Sequence, residues 1–214
     1  MNEFLTPQEF RSLLVSGSIS SIVESHVLSG MPYAFRNNPD ALTILKTHLT
    51  AGLGVRAEDI TVVGSGRLGF SLNPNNFPRQ FSDESDIDVI IVDTELFDKV
   101  WTTLLRWNYP RRLSLGKPDQ GWASSRRKDI YWGWFHPDKI GYEGLSFPEA
   151  LSHMRDLSTR WFDTFQSISQ YTDHQEIARR EINGRLYRTW EHARYYHEEG
   201  LRIIKSTVEM LSAS

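Results

Sequence analysis

The chain has 214 residues, 39% hydrophobic and 24% charged, with a net charge of −3 and a pI near 6.2. That composition fits a folded protein with an ordinary core and excludes a globally basic nucleic-acid binder. The absence of cysteine excludes disulfides and Cys-based zinc sites. No apolar run nears the ~20 residues that span a bilayer, and Met1-Asn2-Glu3-Phe4 lacks a signal-peptide pattern, so the expectation is a cytoplasmic protein with no membrane partner.

Thr6-Pro7-Gln8-Glu9 is a helix opening with a capping box and carries Phe10, Leu13 and Leu14. A second helix is predicted through Ile19, Ile22, Val23 and Val27, ending at Ser29-Gly30. A third opens at Asn38-Pro39-Asp40, carries Leu42, Ile44, Leu45 and Leu49, and closes at Gly52. These helices read as scaffold. Asp59 to Val63 is a short strand that feeds the turn Gly64-Ser65-Gly66. Such a turn frees backbone N–H groups and offers a hydroxyl, the groups that grip a phosphate. Arg67 to Leu72 is predicted as a short helical turn, and residues 73–80 as a loop.

Asp86 to Val92 is a β-branched strand that begins with two carboxylates. Side chains alternate along a strand, so Asp86 and Asp88 share one face and Ile87 and Val89 the other. Two adjacent acids repel, and a bound divalent cation is the usual reason to keep them together. Ser85 either adds a hydroxyl to that site or caps the turn before it. Asp93 caps the next helix, which carries Leu96, Phe97, Val100, Trp101, Leu104 and Leu105 and stops at Tyr109-Pro110.

Arg111 to Lys128 is irregular and basic in pattern. Asp129 to Phe135 reads as an aromatic strand, His136 to Lys139 as its turn, and Ile140 to Phe147 as a partner strand. From Pro148 the pattern is helical: one helix to about Tyr171, a second from about Thr172 to Leu211. Leu186, Trp190, Ala193, His197, Leu201, Ile204 and Val208 mark the apolar side of the second helix. The expected organisation is a core over residues 1–147 and a C-terminal helical region over 148–214, whose long helix could dimerise or hold a protein partner.

The Gly64-Ser65 turn followed by Asp86-Ile87-Asp88 resembles the DNA polymerase β-like nucleotidyltransferase superfamily, across residues 58 to 93. The likeness is greatest to its small stand-alone bacterial branch, whose turn reads Gly-Ser-x-Ala-Arg-Gly. Here the arginine, Arg67, sits one place early, and the turn-to-carboxylate gap is longer. The resemblance implies an α/β (α+β) fold, a short mixed sheet with flanking helices. It implies Mg²⁺ or Mn²⁺ held by Asp86 and Asp88, and an NTP whose phosphates meet Gly64, Ser65, Arg67 and Ser85. The implied reaction moves a nucleoside monophosphate to a hydroxyl on a protein, an RNA end, a nucleotide or a small molecule. The implied setting is a toxin–antitoxin or anti-phage system. The superfamily also carries a third carboxylate on a later strand. Asp129 is the candidate, and an ion pair with Arg126 or Arg127 is its equal alternative. Without a third acid, the rival expectation is a catalytically degenerate nucleotide-binding or partner-binding module.

Overall fold

The structure, a computed structural model, describes residues 4–73, 77–111, 116–141, 148–170 and 172–213. Helix α1 (Pro7–Ser16) starts at the expected capping box: the Glu9 N–H donates to Thr6 Oγ1 at 3.2 Å, and the Thr6 N–H donates to Glu9 Oε2 at 2.7 Å. Helix α2 (Ile19–Ile22) runs into a π-helical turn over Val23–Leu28. Helix α3 (Pro39–Leu53) is capped by Asn38 and ends at Gly54, whose φ of 73° suits a left-handed C-cap. Gly52, the expected stop, instead lets α3 lie close to Thr164; a Cβ there would come within 2.4 Å of it.

Strand β1 (Ile60–Val63) passes directly into helix α4 (Gly64–Leu68), so the helix begins at the glycine itself. Strand β2 (Ile87–Val92) follows, then helix α5 (Thr94–Asn108), where the Leu96 N–H donates to the Asp93 carboxylate at 2.8 Å. Helix α6 (Lys117–Trp132), strand β3 (Trp134–Phe135), helix α7 (Ser152–Gln170), strand β4 (Ile182–Tyr187) and helix α8 (Trp190–Ala213) complete the chain.

The four strands form one mixed sheet in the order β1-β2-β4-β3. β2 is antiparallel to β1 and parallel to β4, and β3 is antiparallel to β4. Ile87, Val89, Ile91, Ile182 and Leu186 point to one face and pack with Leu45, Leu49, Phe97, Leu104, Trp161 and Phe165 from α3, α5 and α7. Val63, Ile90, Val92 and Tyr187 point to the other and pack with Phe10, Leu14, Ile22, Leu201 and Ile204 from α1, α2 and α8. The fold is therefore α/β, a small mixed sheet between two helical layers. Both faces of β2 are covered except at its start, where the carboxylates stand.

Two sequence expectations are corrected. Lys117 to Lys128 of the irregular basic segment and Asp129 to Trp132 of the expected aromatic strand form one helix, α6; only Trp134 and Phe135 are strand, and residues 112–115 lie outside the described residues. Pro118 lies in the first turn of α6, which is stopped by Gly133 at φ 71°. Ala123 is buried and Trp122 Nε1 donates to the Ile140 and Gly141 carbonyls, so tertiary contacts hold this helix against the β-propensity of its rings. Tyr131 and Trp132 are left 78% and 62% exposed at its end. Second, residues 148–214 are not wholly helical: β4 lies inside the helix expected from Thr172, between β2 and β3. The partner strand expected over Ile140 to Phe147 falls largely on residues 142–147, which lie outside the described residues; Ile140 itself is buried beside a 3-10 turn.

Candidate functional site

The site is built where β1 hands over to α4 beside the start of β2. Antiparallel register sets Val63 opposite Asp88, so the next residue, Gly64, lies against the Asp88 side chain. A Cβ on Gly64 would sit 2.9 Å from Asp88 Oδ2, and its φ of 65° is one that favours glycine. Glycine is thus required twice over, for backbone conformation and for the carboxylate's approach. No side chain caps α4, so its first N–H groups are left for another acceptor. Ser65 stands half-buried in that turn.

Parallel register sets Asn183 beside Asp88, on the same face of the sheet. Asn183 Nδ2 donates to Asp86 Oδ2 at 3.4 Å, which links the two strands through the pair. Asp88 is pushed up to about 6, first by burial and then by the negative charge of Asp86; Arg185 opposes the shift, and Glu181 adds to it. Two acids in one half-buried place thus raise the proton affinity of the inner one. The donor set is all oxygen, and it adjoins a glycine cradle that a larger residue would fill. That chemistry fits a hard divalent cation such as Mg²⁺ or Mn²⁺.

The other predicted residues separate into two groups. Asp86, Asp88, Gly64 and Ser65 are brought together. Arg67, Ser85 and Asp129 are not. Arg67 is buried with its guanidinium turned away: Nε donates to the His26 carbonyl at 3.0 Å and Nη1 to the Met31 carbonyl. It staples the 26–31 segment to α4. Ser85 is buried too, and its hydroxyl accepts from the Ser82 N–H at 3.0 Å, closing the turn before β2. Asp129 lies within α6, not at the start of a strand, and makes an ion pair with Arg126 at 3.0 Å. Burial raises its pKa, and Arg126 offsets this. It is absent from the charges that act on Asp88.

Sequence reasoning missed β4 and with it three residues facing the pair. Alternation puts Glu181, Asn183 and Arg185 on the Asp88 side of the sheet. Arg185 is the larger of the two positive charges acting on Asp88, Lys139 being the other: its guanidinium carbon lies 4.5 Å from the Trp134 ring and 4.4 Å from the Tyr196 ring. Its Nε donates to His136 Nε2 at 3.2 Å, and its Nη1 donates to the Tyr187 hydroxyl at 3.2 Å. His136 Nδ1 therefore carries the proton, donated to the Gly184 carbonyl at 3.2 Å. Burial and the Arg185 charge both hold His136 below its ordinary value. The signal for this strand was the alternation of Ile182, Gly184 and Leu186 with Asn183, Arg185 and Tyr187.

A cavity of about 870 Å³ opens beside the turn, walled by Gly64, Trp134, Tyr196 and His197, with Tyr131 and Trp132 at its mouth. Burial, aided by Arg185, holds the His197 imidazole down to about 4, and its Nε2 lacks a hydrogen-bond partner. Aromatic and imidazole rings thus line most of the cleft, and it reaches the carboxylate pair only through Gly64, which lies against Asp88.

Among the described residues no helix is long and apolar enough to cross a membrane. Comparison of the chain with protein-family models, curated proteins and solved structures gives no match.

Proposed function

We propose that this chain is a divalent-cation-dependent nucleotidyltransferase of the polymerase β-like kind. It transfers a nucleoside monophosphate from an NTP to a hydroxyl and releases pyrophosphate. One observation carries the reading: the Asp88 carboxylate, paired with Asp86, lies against Gly64 at an uncapped turn. The mixed sheet agrees with the fold that the sequence resemblance implies.

In this reading Asp86 and Asp88 hold the cation, with Asn183 fixing the rotamer of Asp86. When bound, the cation neutralises triphosphate charge and polarises the reacting phosphoryl group. The N–H groups of the turn and the Ser65 hydroxyl take phosphate oxygens. The aromatic cleft receives the base, which stacks on its rings. The acceptor oxygen bonds to the α-phosphorus as the bond to the bridging oxygen breaks, and pyrophosphate leaves with that electron pair. Glu181, the exposed carboxylate of the same face, takes the hydroxyl proton. It fills the part for which the sequence suggested Asp129.

A second reading, nucleotide binding without transfer, is favoured by one fact. Among the described residues no three His, Asp or Glu side chains converge tightly enough to hold a metal ion. The deciding experiment incubates the chain with α-labelled NTPs, Mg²⁺ or Mn²⁺, and three acceptor pools: protein, RNA and nucleotides. Label transfer by the wild type, lost in D86N and D88N, is the expected result. NTP binding with no transfer to any pool favours the second reading, and no NTP binding removes both.

A further inference from the structure

The carboxylate pair needs more than its own strand to stand correctly. Asp86 lies just outside β2, at the end of a short connection, and no ladder bond of its own is part of the β1–β2 or β2–β4 register. What fixes that connection comes from the lead-in to the neighbouring parallel strand, β4. Arg180, one residue before Glu181, carries its guanidinium into the 82–85 segment. The two N–H bonds of its Nη1 are shared among the carbonyls of Ser82 at 2.7 Å, Asp83 at 3.0 Å and Ser85 at 2.8 Å. Its Nη2 donates to Asp83 Oδ1 at 3.0 Å, and its carbon lies 5.0 Å from the Phe81 ring.

The side chain of Arg180 is 7% exposed, whereas that of its carboxylate partner among the described residues, Asp83, is fully exposed. An ion pair with so solvated a partner contributes little. The three carbonyls therefore satisfy the buried guanidinium, and the guanidinium gathers them. The last of them belongs to the peptide that joins Ser85 to Asp86. On the far side of that peptide the Ile87 N–H donates to the Glu181 carbonyl at 2.9 Å. The backbone around Asp86 is thus pinned on both flanks by consecutive residues, Arg180 and Glu181. Arg179, immediately before them, has a φ of 61°, the only positive φ at a non-glycine residue among those described. That backbone conformation is costly for a side chain, and here it delivers Arg180 into the connection.

We propose that Arg180 is the positioning residue of the Asp86–Asp88 pair, setting the placement of Asp86 through the carbonyls of residues 82–85. It touches no substrate. The inference rests on the metal reading above and adds the residue on which the site's precision depends.

The test is a Mn²⁺ titration of the full chain, followed by the electron paramagnetic resonance signal of free Mn²⁺, well below each variant's melting temperature. R180A is expected to weaken Mn²⁺ binding by about tenfold or more, the usual effect of losing a residue that orients a metal ligand. R180K is expected to recover part of the loss, because an ammonium still offers three donors. D83A is expected to bind like the wild type, since it removes only the exposed contact. Should R180A fail to fold, R180Q, whose amide donates two bonds, carries the same comparison and is expected to bind more weakly than the wild type. A purely structural role would lower the melting temperature of these variants and leave their Mn²⁺ affinity unchanged, and that result overturns the proposal. A wild type that binds no Mn²⁺ would remove the metal reading itself, an outcome distinct from equal binding by wild type and variant.

Discussion

In the metal-free chain, Asp88→Asn should raise stability, and only above a definite pH. The folded protein holds Asp88 at about 6, against an ordinary value of 3.8 for a free aspartate. Between those two values the folded state binds the proton more tightly than the unfolded state does. Stability from this group is therefore complete below pH 3.8 and is lost as the pH rises through 6. A difference near two pKa units corresponds to about 3 kcal/mol at 1.36 kcal/mol per unit. Asn183 and Gly64 adjoin the side chain in either variant, so their contribution to the difference does not vary with pH. Urea unfolding of wild type and D88N in chelator, at intervals from pH 4 to pH 8, reads the effect. The gap in favour of D88N should widen by about 2.5 kcal/mol across that range, the rest having been lost already at pH 4, with most of the change below pH 6.5. Saturating Mn²⁺ should close or reverse the gap at pH 8, because the cation binds the folded wild type. A gap that stays constant with pH would refute the placement of Asp88 as a half-buried acid facing a second negative charge.

Gly64→Ala places a methyl group 2.9 Å from Asp88 Oδ2 at a positive φ; it should cost roughly 1–2 kcal/mol in backbone strain alone and weaken Mn²⁺ binding, measured by thermal melting and metal titration. Asp129→Asn should leave Mn²⁺ affinity and any NTP turnover at wild-type levels, because that carboxylate faces Arg126 in α6; a loss beyond about tenfold would return it to the site. Gly184→Val should destabilise severely or block folding, since even a Cβ would meet Phe165 at 2.3 Å and Trp161 at 2.7 Å; soluble expression and circular dichroism read this directly.

Most of what the site needs from nearby sequence was legible. The capping box at Thr6, the β-branched runs of β1 and β2, and the cap at Asp93 are signals spread over a few residues, and each element stands where they place it. The pairing of Asp86 with Asp88 follows from alternation alone. What was hidden depends on distant parts of the chain. β4 pairs in parallel with a strand about ninety-five positions earlier, and no local pattern reports that. Leu186 also fits the helical spacing that continues through Trp190 and Ala193, so the strand was absorbed into α8. Gly184, a poor helix former, is glycine because two rings of α7 lie against it. The error at Asp129 has the same origin. Aromatic residues with a high strand propensity sit at the end of a helix, and only Trp134 and Phe135 beyond Gly133 join the sheet. Arg67 shows a different limit: a cation next to a phosphate-type turn can be used up by carbonyls of its own chain.

The most direct measurement is an anomalous-difference map from a crystal soaked with Mn²⁺ and a non-hydrolysable NTP. The account predicts a Mn²⁺ peak ligated by carboxylate oxygens of Asp86 and Asp88, with phosphate oxygens on the N–H groups of the Gly64-Ser65-Gly66 turn. A fully occupied nucleotide whose phosphates lie elsewhere, or a Mn²⁺ ion that ignores both aspartates, would contradict it.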